Sequence, residues 1–151
     1  MALTQSFVSP ENWYSLQYPR TWEMEIVEGI PSFFDGITPY GGALQIMAAN
    51  LNGAANEQLL RESPFLAGKN LGEKLRIFLS KQGVSDESAQ YFMRDGTEMG
   101  ACEYRSGGHF FLALMAERSG IFVLALYNCK GEPENEEAAQ VGKILQSLTL
   151  L

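Results

Sequence analysis

One histidine, two cysteines and a short run of acids are the side chains of this protein whose types could carry out chemistry. His109 follows Gly107-Gly108 at the head of an apolar segment, where it reads as a partly exposed residue at the edge of a turn. To act as a base it needs a nucleophile within hydrogen-bond reach. If Ser106-Gly107-Gly108 is a three-residue hairpin loop, Arg105 faces His109 and Cys102 faces Leu112. Side chains alternate along a strand, so that register sends His109 and Cys102 to opposite faces and disfavours a cysteine–histidine dyad. No Gly-x-Ser-x-Gly elbow presents a serine, although counting residues does not forbid a dispersed serine–histidine–acid set.

The cysteines follow the same register. With Ser119-Gly120 as a two-residue turn, Cys129 lies opposite Phe110, two strands from Cys102. Strands about 4.8 Å apart place that pair beyond the ~7 Å Cα limit for a disulfide, so both read as unpaired core residues on one face. One histidine and two separated cysteines do not make a typical zinc site. The 15 glycines form no phosphate cradle, because no Gly-x-Gly-x-x-Gly or Walker pattern opens a helix. The acids of Glu132-Pro-Glu-Asn-Glu-Glu137 could serve a metal or a basic partner, but acids at a helix start usually complement the macrodipole, and that reading is preferred. The expectation is a protein with no catalytic residues, no metal and no cofactor.

The elements that position these residues come from a chain of 151 residues, 46% hydrophobic and 19% charged, which suits one globular domain over residues 1–151. A net charge of −7 with no cluster of lysine and arginine disfavours nucleic acid and anionic membrane surfaces as partners. No apolar run approaches the ~20 residues that cross a bilayer, so membrane insertion is not expected. The start Met-Ala-Leu-Thr-Gln-Ser-Phe-Val has neither a basic head nor a long apolar core, which predicts no signal peptide and a cytoplasmic protein. A chain from which a signal had been removed would read the same way.

Tyr14, Leu16 and Tyr18 alternate with Ser15 and Gln17; after Pro19-Arg20-Thr21, Trp22, Met24 and Ile26 alternate with Glu23 and Glu25. Two half-buried antiparallel strands about a turn are expected. Ser32–Asp35 reads as a short strand, Gly36–Gly42 as turn, and Ala43–Ala49 as a strand with Leu44, Ile46 and Ala48 on one face. The segment from Asn50 to Lys69 holds one short helix near Glu57–Arg61, stopped by Ser63-Pro64. Asn70 caps the clearest helix, with Glu73 as in a capping box, Leu71, Leu75, Phe78 and Leu79 as its stripe, and Gly83-Val84 as a Schellman end. A three-turn meander follows through Asp95-Gly96, Ser106–Gly108 and Ser119-Gly120. Phe110–Ala116 and Ile121–Tyr127 are apolar on both faces, so the sheet must be covered twice. The last helix starts at Pro133 and buries Val141, Ile144, Leu145 and Leu148. The sum is α+β: an antiparallel sheet of about six strands sandwiched between helices.

This order of elements, with the opening Trp13-Tyr-Ser-Leu-Gln-Tyr-Pro-Arg-Thr-Trp22 and its Tyr18-Pro19…Trp22 turn, resembles the PsbP-like superfamily, which includes photosystem extrinsic subunit P, the Ran-binding protein Mog and small bacterial members. The likeness runs through Phe33-Phe34-Asp35 to the closing Ile144-Leu-Gln-Ser-Leu148. The resemblance implies an α/β/α sandwich without catalytic machinery, used mostly to bind proteins; one bacterial branch chaperones membrane-spanning segments of secreted effectors.

The expected function is therefore non-enzymatic recognition of an unidentified protein partner, as an adaptor or chaperone. The sheet margin and the Phe33–Tyr40 and Asn50–Lys69 loops would carry it, with Phe33, Phe34, Tyr40 and Phe65 as aromatic anchors. Two alternatives are a small-molecule sensor or carrier with an apolar pocket and, more remotely, a hydrolase using a serine and His109.

Overall fold

Among the described residues four tight hairpins organise the chain. Glu28-Gly29, Asp95-Gly96, Gly107-Gly108 and Ser119-Gly120 all have positive φ at both residues, the type I′ geometry whose twist matches that of paired strands. The computed structural model describes residues 3–37, 41–52 and 56–151. Within them, β1 (Thr4–Val8), β2 (Tyr14–Pro19), β3 (Trp22–Val27), β4 (Ile30–Asp35) and β5 (Ala43–Asn50) precede α1 (Asn56–Glu62), a 3₁₀ turn (Pro64–Ala67) and α2 (Leu71–Lys81). Then come β6 (Gln90–Arg94), β7 (Thr97–Ser106), β8 (His109–Arg118), β9 (Ile121–Lys130), α3 (Asn135–Ser147) and β10 (Thr149–Leu150).

The strands form two antiparallel sheets, one of three strands ordered β1-β2-β10 and one of seven ordered β3-β4-β5-β9-β8-β7-β6. The mixed α+β class and the double covering match expectation; a single sheet of about six strands does not. β1 and β10 escaped notice because β1 is mostly exposed or half-buried and β10 is only two residues long. β2 and β3 are strands but not partners. Both neighbours of β2 are taken by β1 and β10, so at Arg20-Thr21 the chain leaves the small sheet and β3 pairs with β4.

Residues alternate across the large sheet into two cores. Leu44, Ile46, Leu114, Val123 and Tyr127 meet Tyr14, Leu16 and Tyr18 of the small sheet and Val141, Ile144 and Leu145 of α3. On the opposite face Ala113, Met115, Phe122 and Leu124 meet Leu71, Leu75 and Leu79 of α2 with Phe65 and Leu66 of the 3₁₀ turn. Leu75 and Leu79 are fully buried, each stabilising by about 1.5–3 kcal/mol relative to exposure.

The helix ends follow their caps. Asn70 accepts from the Glu73 N–H at 2.8 Å. At the other end of α2 the Gly83 and Val84 N–H groups donate to the carbonyls of Ser80 and Leu79 at 3.0 Å each, a Schellman closure. The final helix starts at Asn135 with Glu134 as its cap residue, so Pro133 lies outside it. Its C-terminus is tied to the far sheet edge: the Arg94 guanidinium donates to the carbonyls of Leu145 (3.0 Å) and Leu148 (2.8 Å), in the turn where a helix runs out of partners of its own.

One register differs from expectation. Gly107 and Gly108 close a two-residue turn, so Ser106 pairs with His109, Arg105 with Phe110 and Cys102 with Ala113. His109 and Cys102 therefore share a face, while Cys102 and Cys129 belong to opposite cores. Phe110 does lie opposite Cys129, and both thiols are unpaired and buried.

Candidate functional site

The chemistry-bearing residues are dispersed. His109 is exposed; its Nδ1 lies 3.2 Å from the Gly107 carbonyl and its ring 6.3 Å from that of Phe111. Cys102 shares its face but is four residues along β7 from the partner of His109, about 13 Å at strand rise. Distance, rather than facing, separates the two. Burial pushes the Cys102 thiol above its usual value, the reverse of an activated thiolate. Among the described residues no three histidine, cysteine, aspartate or glutamate side chains are placed to hold a metal ion.

The acidic run divides into different roles. Glu132 takes a forked pair of bonds from Arg105, with Nε–Oε2 at 2.9 Å and Nη2–Oε1 at 2.7 Å, and that guanidinium holds its carboxyl below the usual range. Glu137 is buried instead. Its Oε2 accepts from the Gly42 N–H at 2.9 Å and from the Tyr127 hydroxyl, tying α3 to the approach of β5 and to β9. Burial, then the bond to Glu137, raises the Tyr127 phenol. The macrodipole reading misses this side chain, which the sequence places on the same helix face as Val141 and Ile144.

The four expected aromatic anchors are not gathered at one surface. Phe33 is wholly buried, with its ring 4.9 Å from Tyr18 and 5.4 Å from Phe7. Phe65 is buried between Phe78 and Phe122 at 5.4 and 5.9 Å. Neither ring is free to meet a partner, because strand alternation turns Phe33 inward and the 3₁₀ turn folds Phe65 onto the sheet. Phe34 is half-buried opposite Glu23, and Tyr40 lies outside the described residues.

Large exposed apolar side chains are scattered over several segments, and three of them fall consecutively in the centre of one strand. β6 is an outer strand of the large sheet, and Tyr91, Phe92 and Met93 in its centre are 49%, 44% and 64% exposed. The Tyr91 ring lies over Gly100, where a Cβ would stand only 3.0 Å from it, and beside Gly72 at the start of α2. Gly100 thus clears a shelf for the ring, whereas a Cβ at Gly72 would make only ordinary contact with it at 3.7 Å. A groove of about 400 Å³ runs along this edge, walled by Leu71, Gly72, Tyr91, Phe92, Met93 and Met99. The Arg94–Thr97 pair flanks a two-residue turn and so exchanges hydrogen bonds. Alternation down the ladder then directs the N–H and C=O groups of Tyr91 and Met93 outward. The sequence carried this signal: the first strand of an up-and-down ribbon has one free side, and Tyr91-Phe92-Met93 is apolar on both faces.

No protein-family model matches this chain, and no curated protein matches it. Solved structures do. The solution structure of cyanobacterial PsbP from Synechocystis sp. PCC 6803 matches with a TM-score of 0.65 and 15% identity, over 100% of this chain and 94% of that one. A crystal structure from Bacteroides thetaiotaomicron VPI-5482 matches with a TM-score of 0.59 and 15% identity, over 99% of this chain and 49% of that one; this chain spans about half its length. The fold is PsbP-like, as the opening strands and element order led one to expect. Among the described residues no helix is long and apolar enough to cross a membrane.

Proposed function

We propose that this chain is a non-catalytic, single-domain protein-binding module that takes an extended segment of another polypeptide onto the β6 edge. The observation that carries the reading is the undefended centre of that edge, where three consecutive apolar side chains flank outward backbone groups. A row of unpaired N–H and C=O groups is a template for one kind of ligand, another strand. The groove supplies side-chain selectivity: a partner strand would lay alternate residues against Tyr91 and Met93 on one face and Phe92 on the other. Arg94 fixes the end of β6 to α3, so the template is rigid before binding and little order has to be gained.

The test is affinity capture from the native cell, comparing the wild type with the triple change Tyr91→Ser, Phe92→Ser, Met93→Ser. All three positions are exposed, and each change should alter stability by no more than about 1 kcal/mol. A partner captured by the wild type and lost by the folded variant supports the reading. The same partner captured by both contradicts it.

A further inference from the structure

The groove along β6 has a single charged residue among its described walls, Glu98 of β7. Register sets Glu98 between Met93 on β6 and Glu117 on β8, directly opposite both. Residues directly opposite share a face, so two carboxylates stand side by side on the α2 side of the sheet, an arrangement that destabilises unless a cation intervenes. Glu117 has its cation: the ammonium of the buried Lys74 lies 2.9 Å from its Oε1. Glu98 is exposed and makes no ion pair among the described residues.

The nearby basic side chains are committed elsewhere. Alternation along β6 puts Arg94 on the other face of the sheet, where the carbonyls of Leu145 and Leu148 hold it. Arg118 lines a small cavity beside it on that face. No lysine, arginine or histidine lines the groove among the described residues. At the Tyr91 end, charges of both signs occur: burial, Asp86 and Cys102 push the Tyr91 phenol up, and Arg76 pulls it down. The Met93 end has an uncompensated carboxylate instead.

We infer that the polypeptide segment taken up by β6 carries a lysine or arginine opposite Met93, and that Glu98 selects it. This rests on the strand-addition reading above and names the chemistry of its partner. In an added strand, the residue opposite Met93 projects from the same face as Met93 and Glu98. Two strand spacings, about 10 Å, separate its Cα from that of Glu98. A basic stem laid across Met93 and an extended glutamate span that distance together, with methylenes on the thioether and the charged head still in water. An acidic residue at the same position would face Glu98 and Glu117 and be rejected. The positions opposite Phe92 and Tyr91 meet aromatic rings and call for apolar residues.

A phage-displayed library of random heptapeptides, panned on the full chain, supplies the probe. Three versions of the chain are compared: wild type, Glu98→Lys, and the triple change Tyr91→Ser, Phe92→Ser, Met93→Ser. Wild type should enrich peptides with a lysine or arginine next to two apolar residues, and the triple variant should not retain them. Panning on Glu98→Lys should select aspartate or glutamate at the basic position. For the best wild-type peptide, made synthetically, Glu98→Gln should weaken binding about threefold and Glu98→Lys about tenfold. Replacing the basic residue of that peptide by glutamate should restore binding to Glu98→Lys. Glu98 is exposed and faces a like charge, so both of its variants should fold. Peptides lost on the triple variant but without a basic preference, or bound equally by wild type and Glu98→Lys, would overturn the charge assignment and leave strand addition standing. Peptides that the triple variant retains, or no enrichment on wild type, would overturn both.

Discussion

The two outer strands of the seven-stranded sheet solve the same problem in opposite ways. β3 turns Trp22 inward and carries the exposed Glu23 and Glu25 through its centre, its exposed apolar residues Ile26 and Val27 being confined to the hairpin end. Charges on an edge discourage a foreign strand, because pairing would desolvate them. β6 reads Gln-Tyr-Phe-Met-Arg; its one charge, Arg94, is engaged by the carbonyls at the end of α3, and its centre is apolar. The contrast is informative because both edges belong to one molecule at the same net charge. Where the fold needs only a margin, the edge is guarded, and where it is unguarded a partner is the simplest reason.

The largest expected difference between the margins is in stability. Phe33, beneath the β3–β4 side, is wholly buried, and Phe33→Ala should cost about 3–5 kcal/mol in denaturant unfolding. Phe92→Ala on the other margin should cost less than about 1 kcal/mol. Equal losses would mean that Phe92 is structural and the contrast false.

A second change separates backbone from side chain. Met93→Pro removes an outward N–H that makes no ladder bond, and proline is tolerated on edge strands for that reason. The folded variant should keep its stability within about 1 kcal/mol, whereas partner affinity should fall at least tenfold, or about 1.4 kcal/mol. Retained affinity would show that the groove binds side chains without strand pairing.

Much of the scaffold was legible in the sequence, and the reason is local. Asn70, Glu73 and Gly83-Val84 specify their helix through neighbouring backbone groups, and Asp95-Gly96 closes its hairpin with two residues. Pairing across distance was less legible. Nothing near Pro19-Arg20-Thr21 states that β2 will be flanked by β1 and a two-residue β10 from the far end of the chain. Ser106, assigned to the turn although it is the last residue of β7, also reversed the facing of Cys102 relative to His109. The candidate site was missed for a further reason. Aromatic residues in turn-rich segments were read as exposed, yet Phe33 and Phe65 are core, while the exposed ones sat inside a regular strand.

Two smaller effects sharpen the comparison. Replacing the guards, with Glu23→Thr and Glu25→Thr together, should leave folding intact but introduce concentration-dependent association, visible by light scattering; a strictly monomeric variant would show that those charges guard nothing. The smallest effect is confined to alkaline pH. Tyr104, on β7 three residues past its last pair with β6, stacks on Phe111 at 4.9 Å, its hydroxyl is buried without a partner, and burial pushes its phenol up to about 12. The unfolded chain releases this proton near 10, so between about 10 and 12 unfolding is favoured as pH rises, and nothing changes below. Tyr104→Phe should flatten that loss in a pH series of unfolding midpoints, and an unchanged slope would assign it to other tyrosines.

Amide hydrogen exchange at Tyr91 and Met93, with and without the captured partner, probes strand addition most directly. Both amides should exchange quickly in the free protein and become strongly protected in the complex, while Phe92, already bonded to β7, changes little. Protection appearing elsewhere, with Tyr91 and Met93 still exchanging freely in the complex, would contradict the account.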